Sequence, residues 1–88
     1  MSVLNKSKVV ELKVEHLNVW YSPEFNCWAV TTYDEFGNQI GVTDWYYRKS
    51  EAVRDAVSTM NNFEEIAYIK VFTKGFVKVR KIARNRGV

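Results

Sequence analysis

Val10, Leu12 and Val14 alternate with Glu11, Lys13 and Glu15, so residues 9–21 begin as a strand with one apolar and one charged face. The phase slips near His16, after which Leu17, Val19 and Tyr21 carry the apolar parity. A bulge, or a short turn between two strands, absorbs such a slip. Ser22-Pro23-Glu24-Phe25-Asn26 reads as a turn, because Pro23 has a restricted φ and no N–H for a ladder. Residues 27–33 form a second strand, rich in β-branched and aromatic side chains. The loop from Asp34 to Asn38 closes a hairpin with Gly37 at positive φ. Residues 39–47 form the third strand, with Ile40, Val42 and Tyr46 facing opposite to Thr43 and Trp45.

The period then changes. Ala52, Val53, Ala56, Val57 and Met60 fall on one stripe at helical spacing, with Glu51, Arg54, Asp55 and Ser58 on the other side. Ser50 is the expected N-cap, Glu51 suits the first turn, and Asn61-Asn62 end the helix. A helix this short is marginal alone and gains its stability by packing on a sheet. Residues 66–73 return to strand character, Lys74-Gly75 marks a tight turn, and residues 76–82 pair back as a fifth strand. In that last strand Val77 and Val79 alternate with Lys78 and Arg80, which predicts one apolar and one cationic face. The order β-β-β-α-β-β implies an α+β fold: a single antiparallel sheet of four to five strands with one helix packed on one face. One domain is expected over residues 1–88, with residues 1–7 and 84–88 frayed.

A single helix covers a single face of such a sheet. Trp20-Tyr21 and Trp45-Tyr46-Tyr47 place rings at consecutive strand positions, so some must stand on the uncovered face. Three uses of that face compete: mutual packing with lysine and arginine stems, self-association into a homo-oligomer, and a stacking platform for unpaired bases. Tyr68, Phe72 and Phe76 are the candidates for the platform, because Lys70, Lys74 and Lys78 are interleaved with them.

Charge sharpens the picture. Residues 66–88 hold Lys70, Lys74, Lys78, Arg80, Lys81, Arg84 and Arg86 and no acid. The other 65 residues hold all ten acids against six cations, so the overall +3 joins a body of −4 to a terminus of +7. Clustered cations gain free energy by releasing counterions condensed on phosphates, which points to nucleic acid as the partner.

The reactive residues point to no recognisable catalytic chemistry. His16 is the only histidine and is expected at a surface or rim. Cys27 is the only cysteine, which excludes an internal disulfide and a thiolate zinc cluster, and it reads as a small buried hydrophobe. Glu64-Glu65 and Asp34-Glu35 are solvated pairs, Asp44 is placed to pair with Arg48 or Lys49, and the four glycines make no phosphate-cradling loop. The expectation is therefore a protein that is not an enzyme and uses no metal and no cofactor. Neither a signal-peptide core nor an apolar run of membrane-spanning length occurs, so a cytoplasmic location and no membrane partner are expected.

Lys74-Gly75-Phe76 followed by Val77 and Val79 is similar to the signature strand of RNA-recognition motifs, although Val77 and Lys78 replace its small residue and second aromatic. The whole chain resembles small domains of bacteria and phages built as a β-meander, a helix and a final strand or hairpin. Trp28-Ala29-Val30, the loop from Asp34 to Gly37, Glu51-Ala52-Val53, Ile69-Lys70-Val71-Phe72 and Lys74-Gly75 carry that likeness. The N-terminal DNA-binding domains of phage integrases look similar in their three strands and helix. The resemblance implies an accessory protein of a tailed phage, acting in host takeover or counter-defence. Two functions are expected from these features. One is nucleic-acid binding, RNA or single strands favoured, through the seven cations and the rings of Tyr68, Phe72 and Phe76. The alternative is inhibition of a host protein through Trp20, Trp45 and Tyr47.

Overall fold

A computed structural model describes residues 14–77 and 79–84. Three strands, β1 (Val14–Ser22), β2 (Cys27–Asp34) and β3 (Gln39–Tyr46), precede the helix α1 (Lys49–Asn62). Two more follow, β4 (Tyr68–Phe72) and β5 (Val79–Ala83). The phase slip near His16 is a β-bulge: Val14 pairs with Asp34 and His16 with Tyr33, leaving Glu15 between them. Residues 9–13 of the expected first strand lie outside the described residues.

The five strands form one open sheet in the order β3-β2-β1-β4-β5. The sheet is mixed, which corrects the expectation of a purely antiparallel one: β4 pairs with β1 in parallel, from His16–Tyr68 to Val19–Val71. The cause is the helix. Two hairpin reversals leave β3 running in the same direction as β1, α1 carries the chain back to the starting end, and β4 must then run parallel to β1.

Alternation sorts the side chains. Leu17, Val19, Trp28, Val30, Ile69 and Val71 point to one face and meet Ala52, Ala56, Met60 and Ile66. The small alanines allow close approach of helix and sheet, and Val53, Val57, Tyr21, Tyr46 and Ile82 flank the contact. Gly37, as expected, and Gly41 have positive φ, at +86° and +74°. Gly41 lies in an irregularity of β3 where the register jumps from Val30–Asp44 to Thr32–Ile40, which leaves Val42 in solvent rather than beside Ile40.

The helix begins two residues earlier than expected. Arg48 takes the N-cap position in extended conformation, without a side-chain cap bond, and Ser50 lies within the first turn. The C-terminal turn contains no basic residue of its own. Arg84 supplies one from the far end of the chain: its guanidinium donates to the carbonyls of Ile66 at 3.0 Å, Phe63 at 2.6 Å and Met60. Its backbone N–H also donates to the Ala67 carbonyl at 3.3 Å. Arg84, expected to open a frayed tail, is instead tied to the end of α1, where carbonyls lack intrahelical donors.

Tyr46 bonds across to Asp55 of α1. Burial, then that hydrogen bond and the Asp55 charge, hold its phenol well above the usual tyrosine range. A raised phenol stabilises the fold fully at pH values below the unfolded tyrosine range, near 10, and loses that contribution as pH rises through the folded value. Tyr46→Phe is expected to cost about 1 kcal/mol at neutral pH. It should also flatten the alkaline limb of a thermal-stability profile, and an unchanged alkaline limb would refute the clamp.

Candidate nucleic-acid interface

The helix-free face follows from register alone. His16, Asn18 and Trp20 of β1 point there, opposite Tyr33, Thr31 and Ala29 of β2. Trp45 of β3 lies beside Ala29, and Tyr68, Lys70 and Val71 continue the pairing on β4, of which Tyr68 and Lys70 share the face. Phe72 has the same parity, and Lys81 and Val79 of β5 stand opposite Lys70 and Phe72. Three rows therefore cross the strands.

The first row is a stack. The His16 ring lies 5.1 Å from Tyr33 and 4.9 Å from Tyr68, tilted by 11° and 3°. Lys81 Nζ sits 4.3 Å above the far side of Tyr68. Enclosed in this way, His16 is only 9% exposed, which corrects the expectation of a surface histidine. Its Nδ1 lies 3.2 Å from Glu15 Oε1. The Tyr68 phenol is raised, first by burial and second by the Glu15 charge. Both flat sides of Tyr68 are occupied, by His16 and by Lys81, so it offers an edge rather than a stacking face.

The third row is looser and more open. Trp20 meets Trp45 edge-on at 6.1 Å and Phe76 at 6.5 Å, and Phe76 meets Phe72 at 5.7 Å. Phe25, from the β1–β2 turn, packs edge-on against Trp45 at 5.1 Å, and the two line an open depression of about 370 Å³ with Cys27. Cys27 is thus half-buried at the wall of this depression, not in the core. Trp45 is 43% exposed and Phe76 52% exposed, so these rings keep free π surface.

Phe76 does not belong to the fifth strand as expected. It sits in the β4–β5 loop at φ +60°, a conformation unusual for a bulky residue. Between the aromatic rows lie Thr31, Asn18, Lys70 and Lys81. Thr31 Oγ accepts from the Trp20 indole at 3.3 Å. Asn18 Oδ1 is buried with no donor among the described residues, a condition that costs about 1–3 kcal/mol.

The expected cations do not gather on one surface. Lys70 and Lys81 face the aromatic rows. Lys74 Nζ lies 4.5 Å over Tyr21, a ring of the covered side. Arg80 pairs with core-facing Val71 and so points toward α1, opposite Val79 as alternation predicts, but Lys81 joins the face of Val79 and Ile82 that of Arg80, so neither face is purely apolar or cationic. Arg84 is engaged by the carbonyls at the end of α1. Lys78 and Arg86 lie outside the described residues. Among the described residues no lysine or arginine comes within 4.0 Å of a carboxylate, and the expected pairing of Asp44 with Arg48 or Lys49 does not occur. The tryptophans assigned to a protein interface share the face with Phe72 and Phe76, whereas Tyr47 stands exposed beyond β3. Phe25 was missed from the sequence because it lies in a turn, where alternation says nothing about facing.

Among the described residues no three of His, Cys, Asp and Glu gather to hold a metal ion, and no helix is long and apolar enough to cross a membrane. Comparison with protein-family models, curated proteins and solved structures finds no match.

Proposed function

We propose that the helix-free face binds single-stranded nucleic acid without catalysing a reaction on it, bases resting on rings and phosphates on lysines. The observation that carries this reading is the direct cross-strand pairing of Lys70 with Lys81 beside Trp20, Trp45, Phe72 and Phe76. Like charges directly opposite each other on a sheet repel, and an anion between them relieves the repulsion. Glu15 is the single carboxylate that the described strand residues bring to this side, and it lies next to His16. Exposed rings accept any base, because every base has a π-face, and a duplex hides those faces.

The test is the salt dependence of affinity for a fluorescent oligothymidylate or oligouridylate. Each phosphate contact on a single strand contributes about −0.7 to the slope of log affinity against log salt. Lys70 and Lys81 together predict a slope of about −1.4 or steeper, a loss of roughly sevenfold or more from about 50 to 200 mM salt. A duplex of equal length should bind more weakly. A flat salt response, or preference for the duplex, would overturn the reading. Inhibition of a host protein through the same tryptophans is the second reading, supported by Tyr47 at 86% exposure. Capture of a protein that resists nuclease and is lost in Tyr47→Ala would favour it.

A further inference from the structure

Arg80 lies on the wrong side of the sheet to serve the aromatic rows. Its partner Val71 belongs to the core, so Arg80 projects along the α1 side of β5. There it meets Lys49 and Arg54 around a depression of about 590 Å³, completed by Ser50 and Val53. Three cations from two elements line this space and no carboxylate does. Lys49 Nζ lies 5.3 Å over the Trp28 ring. Asp55, the acid of α1 beside Arg54 in sequence, is bonded to Tyr46. Gathering positive groups in one concavity without a counter-charge is unfavourable unless an anion joins them. The first turn of α1 adjoins the same space, and its capping position supplies no side-chain acceptor.

We infer that this depression is a second anion site, and that its ligand class is the phosphate group. Free phosphate carries one to two negative charges on four oxygens and a strand phosphate one charge with two unbridged oxygens, and either offers the forked guanidinium groups and the ammonium directional acceptors that chloride lacks. The inference goes beyond the helix-free face and does not depend on it. The same chemistry has two sources: free phosphate, or a phosphate of a strand that crosses the β5 edge. Arg80 and Lys81 are successive residues of that edge strand and point to opposite sides, so one backbone passing over the edge reaches both.

The test titrates the isotope-labelled full chain with inorganic phosphate, against chloride at matched ionic strength. Saturable shifts are expected at the amides of Lys49, Ser50 and Arg54 and at the Arg80 side chain. The double variant Arg54→Gln, Arg80→Gln should weaken the response at least tenfold. Both side chains are exposed, so the resonances of Leu17 and Ile69 should report an unchanged core. Absence of saturable shifts, or an equal response in the double variant, overturns the site. A second arm measures oligothymidylate affinity in the same variant. A tenfold loss there assigns the phosphate to a strand, and unchanged affinity in a variant whose inorganic-phosphate response has weakened as expected assigns it to a free ion. Either result upholds the site. Failure of any oligonucleotide to bind removes the single-strand reading alone, since the phosphate titration stands by itself.

Discussion

Phe76→Gly is expected to leave folding stability within about 1 kcal/mol of the parent while weakening single-strand binding roughly 5- to 150-fold. The two halves of this result have separate causes. At φ +60° a residue with a Cβ carries about 1–2 kcal/mol of backbone strain that glycine does not. The ring offsets that strain through Phe72 at 5.7 Å and Trp20 at 6.5 Å, contacts worth about 0.5–1.5 kcal/mol each beyond their area. Removing strain and contacts together is close to neutral. Binding has no such compensation, because a stacked base loses its platform, worth about 1–3 kcal/mol. Phe76→Ala loses the ring and keeps the strain, so it should be less stable than the glycine variant. Thermal unfolding and oligonucleotide anisotropy on the three proteins read both effects. Unchanged affinity in Phe76→Gly would remove Phe76 from the interface.

Arg84→Met should lower stability by about 2 kcal/mol, a fall in Tm of roughly 8–16 °C for a chain of this size. The guanidinium donates to three carbonyls at and beyond the end of α1, and methionine retains much of the stem while removing that donor, with only the Phe63 carbonyl keeping a backbone partner among the described residues, the Ile66 N–H at 3.1 Å. Arg84→Lys should recover part of the loss, since one ammonium reaches fewer of the carbonyls than a planar fork. Oligonucleotide affinity per folded molecule should not change in either variant. That separates Arg84 from Lys70 and Lys81, although all three contribute to the same basic stretch of sequence. An unchanged Tm in Arg84→Met would show the carbonyl contacts to be of no consequence.

Much of the fold was legible because its signals are local. The His16 phase slip became the bulge opposite Tyr33, Gly37 took its positive φ, and the stripe of Ala52, Ala56 and Met60 turned to the sheet. Consecutive rings at Trp20-Tyr21 and Trp45-Tyr46 did divide between the two faces, as alternation requires. The site was legible only in part. Spacing singled out Lys70, Phe72 and Phe76, which the fold places at the helix-free face, but Tyr68 is enclosed by His16 and Lys81, a result of two strands pairing with β4 from opposite sides. No pattern within one segment could report that.

The basic terminus shows the same division at larger scale. Composition established that seven cations follow residue 65 without an acid, and periodicity established three strands, a helix and two strands. Those properties belong to the chain read residue by residue, and they hold whatever the segments touch. Which cation serves which surface depends on register and strand direction. The parallel pairing of β4 with β1 and the antiparallel return of β5 put Lys70 and Lys81 on one side and Arg80 on the other, and carried Arg84 to α1. Tertiary structure alone decided this, because alternation within a strand gives two faces but leaves open which of them the helix will cover.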